Sequence, residues 1–408
     1  MNIPFFIARR YFLSKKKRNF INVISIISMF AVGFGAMALI VALSVFNGLE
    51  GMLRSLHEAF DPNLKVLPLE GKSFEWDMSL TRKIESIEGI EVVTPVIEDN
   101  AYVKYKEAQM VVKLKGVADN FNEHGNISDN IVQGEFLLKD NDISYAVLGR
   151  GVQYSLSLSP SDDFNTLQFF YPKRGRNPIS ADPSKLTNRK SILASGIFAI
   201  IKEYDEKYVI VPIDFAKELM GYENKITALE IKVLDGYSIS KTKEEVKNKV
   251  GSDFRVLNED EQHASILKAL KIEKLFVFLT FSFIIAIAAF NIFFSLTMLG
   301  IEKKKDIAVL YSMGAPEKLI KSIFLAEGAL IALSGAITGL LLGFLFVWSQ
   351  ENFGIISMGM STSVVEAYPV EMQAMDFILV GLAITTITFM ASYQPALIAK
   401  KVDVKNEL

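Results

Sequence analysis

Few residues in this sequence have the types and spacing that active-site chemistry needs. Gly71-Lys72-Ser73 has the closing order of a phosphate loop, in which backbone N–H groups and a lysine cradle phosphates. That pattern also needs a glycine five residues before Gly71, and Val66 stands there. Leu333-Ser334-Gly335 has the order of part of an ATPase signature, but it lies inside a long apolar run. The three histidines, His57, His124 and His263, are far apart in the chain and form no His-Glu-x-x-His pair. There is no cysteine, which excludes disulfides, thiolate zinc sites and cysteine nucleophiles. No catalytic residue, metal site or cofactor site is therefore expected in this chain. Energy for any work it does has to come from another polypeptide. The net charge of −2 gives no basis for binding nucleic acid.

The elements that would position functional residues are easier to read. Hydrophobic residues make up 50% of the sequence, and they are gathered into runs rather than spread. A bilayer core of about 30 Å takes about 20 apolar helical residues. Four runs meet that length: 19–49, 275–301, 322–350 and 377–399, with Glu327 the one charged residue among them. Four runs without a lysine or arginine do not suit a soluble core. The expected fold class is a membrane α-helical protein with four transmembrane helices and a large mixed α+β domain between spans one and two. The first run far exceeds the apolar stretch of a cleaved signal peptide, so it is expected to be a retained anchor.

Orientation follows from lysine and arginine near the span ends. Arg9, Arg10, Lys15, Lys16, Lys17 and Arg18 precede span one; Lys303, Lys304, Lys305, Lys318 and Lys321 stand between spans two and three. Lys400, Lys401 and Lys405 follow span four, whereas 351–376 has no basic residue and four acidic ones. Both termini (1–18 and 400–408) and the 302–321 loop are expected in the cytoplasm, with 50–274 and 351–376 outside. Aromatics mixed with two arginines in residues 2–13 suit a short helix lying in the cytoplasmic interface.

Three features inside the spans are candidate sites. Gly335, Gly339 and Gly343 are spaced four apart, which lets another helix approach closely. Phe30, Phe34, Met37 and Val41 form one stripe on span one, and Phe281 and Ile285 form another on span two. These stripes face lipid or receive acyl chains, and spacing does not separate the two readings. Glu327, near the end of its span, is placed to reach the interface.

Between the spans, Asn47 to Phe60 continues helically with Leu49, Met52, Leu53, Leu56 and Phe60 on one face, and Glu259 to Lys274 reads as a returning helix. Strand-like runs are 64–67, 101–105, 110–114, 167–170, 208–212, 228–233 and 254–257; helix-like runs are 79–87, 215–220 and 238–249. Tyr171 to Arg189, with three prolines and five basic residues, reads as a long loop.

Several motifs together resemble the lipoprotein-releasing permeases of the LolC/LolE type. They are Ala42-Leu-Ser-Val-Phe-Asn-Gly-Leu-Glu50, Ala288-Ala-Phe-Asn-Ile-Phe-Phe-Ser-Leu296, Glu302-Lys303 with Asp306-Ile-Ala-Val-Leu-Tyr-Ser-Met-Gly-Ala315, Glu327-Gly328 with the glycine ladder, and Tyr393, Pro395 and Ala399. The terminal Pro-x-x-Ala-Leu-Arg run of that family is replaced by Val404-Lys-Asn-Glu-Leu408. The resemblance covers the whole topology and is weak in residues 60–260. It places the chain in the broader MacB/FtsX-like group of ABC permeases of the bacterial inner membrane. It implies a porter-like external part with an inserted subdomain over roughly 119–225, and a second permease copy or paralogue. It also implies a separate LolD-like ATPase holding ATP and magnesium, a lipoprotein cargo and a LolA-like periplasmic carrier. Leu310, Tyr311, Met313, Gly314 and Ala315 would contact the ATPase, and Arg174, Arg176 and Pro178 the carrier. The alternatives are a permease of the same fold exporting another amphiphile or peptide, and an FtsX-like signalling protein controlling cell-wall hydrolysis.

Overall fold

The computed structural model describes residues 3–12, 20–58, 60–124, 127–141, 143–158, 166–173, 186–358 and 367–400. It divides into two compact units, Met1–Met52 with Ser265–Leu408, and Leu53–Ala264. The chain opens with a short helix, α1 (Ile3–Phe12), followed by the long helix α2 (Phe20–Glu58). At 1.5 Å per residue, its 39 residues extend about 58 Å, well beyond the hydrocarbon thickness of a bilayer. The apolar span and the stalk residues Leu49 to Leu56 are therefore one helix. Phe60 is not part of it: the chain turns after Glu58, with Phe60 N–H and Asp61 N–H donating to His57 O, and the Phe60 ring is buried.

The second unit alternates strands and helices. Its strands are β1 (Leu64–Pro68), β2 (Phe74–Glu75), β3 (Ile90–Tyr105), β4 (Ala108–Val117), β5 (Ile131–Gly134), β6 (Lys139–Asp140), β7 (Ile143–Gly149), β8 (Leu167–Pro172), β9 (Thr187–Phe198), β10 (Tyr208–Pro212), β11 (Lys225–Ile226), β12 (Ala228–Val233) and β13 (Phe254–Asn258). Its helices are α3 (Met78–Glu85), α4 (Arg150–Leu156), α5 (Lys202–Asp205), α6 (Ile213–Met220), α7 (Ile239–Val250) and α8 (Glu259–Gln262).

One mixed sheet carries most of the strands in the order β13-β1-β12-β3-β4-β10-β7-β9-β5, with β8 bridging β3 and β9. The sixteen-residue β3 is its spine: its first half pairs with β12 and its second half with β4 and β8. β10 is buried along its whole length, as a strand covered on both faces must be. One core, built around Val93, Ile97, Phe169, Phe215 and Leu229, takes in α3, α6 and α7. A second, around Phe60, Phe121, Phe198 and Tyr204, covers part of the other face.

Two expectations change here. The Tyr171–Arg189 segment is not one long loop, because Tyr171 and Pro172 end β8 and Thr187 to Arg189 begin β9, paired antiparallel from Phe170↔Arg189 to Pro172↔Thr187. The returning helix is not continuous either. Asn258 and Glu261 form a capping box on the four-residue α8, and the chain breaks at His263 before the next helix.

That next helix is α9 (Ala264–Glu302), followed by α10 (Lys304–Ser312), α11 (Glu317–Phe353) and α12 (Ala374–Ala399). With α2, the helices α9, α11 and α12 are the four among the described residues long and apolar enough to cross a membrane. Their inward faces form one core with Leu39, Ile40, Ile292, Phe324, Ile331 and Ile384, and α1 adds Ile7 and Tyr11. Large apolar residues such as Phe283, Phe290, Leu341 and Leu382 remain exposed on the outside of this unit.

Candidate functional site

The segment between α10 and α11 is built as a tight helical hairpin. Ile307 and Ala308 bury one side of α10, and Leu310 and Tyr311 lean on the same core. Tyr311 O–H donates to Lys400 O at 2.7 Å, fixing α10 against the end of α12. Ala315 N–H donates to Leu310 O and Gly314 N–H to Tyr311 O, the paired bonds of a Schellman stop. Such a stop needs a left-handed residue, and Gly314 has φ +88°. Pro316 then stands immediately before α11, where a missing N–H costs nothing. Of the five residues expected to contact an ATPase, Leu310 and Tyr311 pack inward and Met313 projects, 79% exposed. Gly314 stands in open space at the tip, beside the half-buried Ala315.

The glycine ladder faces another helix of the same chain. A Cβ on Gly335 would run into Met29 O, one on Gly339 into Gly33 O, and one on Gly343 into the Ile40 side chain. Gly33 reciprocates, since a Cβ there would lie 3.0 Å from Gly335 O. The ladder and Gly33 thus bring the backbones of α2 and α11 together.

The apolar stripes divide. Phe30 and Phe34 are exposed, Phe34 to 74%, and Val23, Ile26 and Ile27 extend that surface along α2. Met37, Val41 and Phe281 are half-buried. Ile285, expected on a free apolar surface, is fully buried, and a Cβ on Gly35 would meet its Cγ1 at 2.8 Å. Glu327, expected to reach the interface, is buried in α11, and its Oε2 has no hydrogen-bond partner among the described residues. Arg174, Arg176 and Pro178 lie outside the described residues.

Residues the sequence reading passed over come together in both units. The three histidines converge in the second unit. The His57 and His263 rings are 3.7 Å apart, His263 Nε2 lies 2.7 Å from Asp61 Oδ2, and Asp61 and His124 line one cavity of about 20 Å³ with Glu230. Among the described residues no group of His, Asp or Glu could hold a metal ion. Asp61 also accepts from Tyr204 O–H. Burial opposes its charge, yet these bonds, with Lys115 and Lys65 nearby, hold its carboxyl below the ordinary range. In the helical unit Asn47, Lys274 and Asp376 meet: Lys274 Nζ donates to Asn47 Oδ1 at 2.6 Å, and Asn47 Nδ2 to Asp376 Oδ2 at 2.7 Å. Gly71-Lys72-Ser73 is a turn between β1 and β2 rather than a loop opening a helix, and Lys72 is 3.6 Å from Asp99.

This arrangement defines a class: a multi-pass membrane protein whose first two spans flank a mixed α/β domain. Residues 25–249 match the model of the MacB-like periplasmic core domain, and residues 278–404 that of the FtsX-like permease C-terminal region. The chain belongs to the family of MacB-like and FtsX-like permeases, proteins of the ABC-transporter class. It is 25% identical to the lipoprotein-releasing system transmembrane protein LolE of Haemophilus influenzae, over 98% of each chain. It is 23% identical to the corresponding LolC of Neisseria meningitidis, over 97% of this chain and 96% of that one. Among solved structures, the periplasmic region of MacB from Actinobacillus actinomycetemcomitans aligns with 53% of this chain and 97% of its own, at 13% identity and a TM-score of 0.36.

Proposed function

We propose that this chain is the permease subunit of an ABC transporter that extracts lipoproteins from the inner membrane and passes them to a periplasmic carrier. The observation that carries this reading is end-to-end similarity, over 98% of both chains, to a relative named for lipoprotein release. In this reading both termini are cytoplasmic, and ATP is hydrolysed on a separate ATPase subunit. That subunit grips the α10–α11 hairpin at Met313 and Gly314, and a second permease copy or paralogue completes the transporter. The work is mechanical. α2 and α9 both run on helically past their apolar runs, and they adjoin the Leu53–Ala264 insertion in sequence; in this reading they carry the motion of the spans. Acyl chains resist leaving lipid by about 0.8 kcal/mol per methylene, so an apolar surface has to cover them during the transfer. Phe30 and Phe34 offer one.

Two experiments test the reading. Gly314→Trp is expected to insert normally and to lose the ATPase in a pull-down; retention of the ATPase would remove the hairpin from the docking surface. A photo-crosslinker at position 34 is expected to capture lipoprotein in the nucleotide-free complex and to release it after ATP. Capture of phospholipid alone would make the stripe a lipid-facing surface and count against the cargo.

A further inference from the structure

Asn47 and Lys274 stand where the apolar runs of α2 and α9 end, about three turns inside each helix, and Asp376 stands in the first turn of α12; α2 and α9 are the two helices that flank the inserted domain in sequence. Asn47 is 2% and Asp376 4% exposed. Every polar hydrogen of the Asn47 amide is used, one on Asp376 Oδ2 and one on Glu371 O at 3.2 Å, while its oxygen takes the Lys274 ammonium. Lys274 Nζ also lies 3.3 Å from Asp376 Oδ1. The segment leading into α12 is laid directly on α2. Glu371 N–H donates to Ser44 O at 2.9 Å, a Cβ on Gly48 would strike Pro369 and Val370, and one on Gly51 would lie 3.1 Å from the Glu371 carboxylate. Contacts therefore run along α2 from Ser44 to Gly51, nearly two turns.

An apolar contact between helices tolerates sliding, because neighbouring registers bury similar surface. These contacts do not. A shift of α2 by one residue, 1.5 Å along its axis, would lose the Asn47 bonds and drive a larger side chain into the Gly48 position. Buried ion pairs add little stability over apolar packing of the same volume, and their best-attested use is to specify register. We propose that Asn47, Lys274 and Asp376 form a latch that fixes one register of α2 against α9 and α12. The latch breaks and re-forms in each transport cycle, with Asp376 as its central positioning residue. The proposal rests on the permease reading, because a latch has a task only if the helices are driven.

The test uses the complex with its ATPase in lipid nanodiscs. Asp376→Asn and Lys274→Met are expected to raise ATP hydrolysis without cargo and to lower cargo released per ATP by about fivefold. The charge-swapped pair Lys274→Asp with Asp376→Lys is expected to recover at least half of that loss. A merely structural role predicts lowered unfolding temperatures in all three variants with the ratio of cargo to ATP unchanged, and that result would overturn the latch. The chain has no cysteine, so a Gly51→Cys, Glu371→Cys pair can be bridged specifically by a short bis-methanethiosulfonate, which reduction removes. The bridged form is expected to keep the ATPase bound but to stall hydrolysis until reduced; unaltered turnover when bridged would also overturn the proposal. The hydrolysis arm needs no lipoprotein. A wild-type complex that hydrolyses ATP but releases none therefore counts against the cargo alone.

Discussion

Lys115 and Lys274 each pair with a buried carboxylate, and each keeps different company. Lys115, its side chain 1% exposed, lies between the rings of Phe60 and Phe121, at 4.6 and 4.9 Å, with Glu230 Oε2 at 3.0 Å. Its neighbours extend the network across four adjacent strands. Lys65 on β1 stands directly opposite Glu230 on β12, and Glu98 on β3 directly opposite Lys115 on β4. Lys113 closes on Glu98 at 2.6 Å. Backbone ladders hold all of these groups in place before any charge interacts. Lys274 instead meets Asn47 and Asp376 across three helices that no backbone ladder joins, with the single Glu371 N–H to Ser44 O bond beside them, so side chains share in setting the alignment. Removing charge from the sheet should cost stability, and removing it from the helices should cost register.

The largest expected effect is on the sheet side of that comparison. Lys115→Met keeps the length of the side chain and its place between the two rings but removes one of the two ammonium groups on the buried Glu230 carboxylate, leaving Lys65. Breaking a buried pair in this way costs about 3–5 kcal/mol. Unfolding of the Leu53–Ala264 unit can be followed by Trp76 fluorescence in a Trp348→Phe background, since the chain has only two tryptophans. A companion Glu230→Leu change should return much of the loss, because an apolar pair of similar volume replaces the ion pair. If Lys115→Met unfolds at the wild-type temperature, the network is not holding the sheet.

His124 sharpens the same comparison through pH. The single Thr94 hydroxyl proton goes to Asn120 Oδ1, so Thr94 Oγ1 accepts from His124 Nε2–H at 2.7 Å. Burial pushes the imidazole pKa down from 6.5 to about 4, with Lys115 and Lys232 working in the same direction and Glu230 and Glu91 against it. In the folded protein the ring stays neutral over a range where the unfolded chain takes up a proton. Its contribution is complete above pH 6.5, falls as pH drops, and is gone below about pH 4. The difference amounts to about 3 kcal/mol. Unfolding measured by Trp76 at pH 7 and pH 5 should show about 2 kcal/mol of this loss in the wild type and a smaller loss in His124→Gln. Equal pH dependence in the two proteins would remove His124 from the account.

Much of the fold was legible because the relevant signals are local. The four apolar runs stand out by lacking charge, and Tyr208–Pro212 and Ala228–Val233 are dense in β-branched residues and bounded by turn signals. β7 and α4 are not legible, because α4 follows directly on Gly149, the last residue of β7, and no turn cluster marks the change of period. β9 begins Thr-Asn-Arg-Lys, a polar run that reads as loop until β8 pairs with it. The site residues that were missed depend on distant partners. Gly335, Gly339 and Gly343 announce a close approach, but nothing in their spacing names Gly33 as the residue approached. Asn47 appears inside a recognised motif, yet Lys274 is 227 positions away and is drawn to it only by the packing of α2 on α9. The histidines show the same limit: they stand far apart in the chain, and only the fold of the second unit brings them together.

The smallest expected effect belongs to the helical unit, where close approach replaces both a hydrophobic driving force and a backbone ladder. A side chain at Gly339 cannot be absorbed by a rotamer change, because the atoms in its way are the Gly33 carbonyl and its own backbone neighbours. α2 and α11 would have to part, and the loss would spread to Gly335 and Gly343 one turn to either side. Gly339→Leu is therefore expected to destabilise the helical unit by about 1–3 kcal/mol, the range for overpacking. Gly381 on α12 provides the control, since a Cβ there meets nothing within 4 Å. Gly381→Leu should fall within about 0.5 kcal/mol of the wild type. Thermal unfolding of the full chain in detergent, read by Trp348 in a Trp76→Phe background, separates the two. Because the ladder's partner is α2 of the same chain, Gly339→Leu should weaken this unit even where no second permease is present. A loss that appears only when permeases associate would move the ladder from the inside of the chain to a subunit interface. Equal, small changes for Gly339→Leu and Gly381→Leu would mean that the α2–α11 contact is looser than its backbone distances indicate.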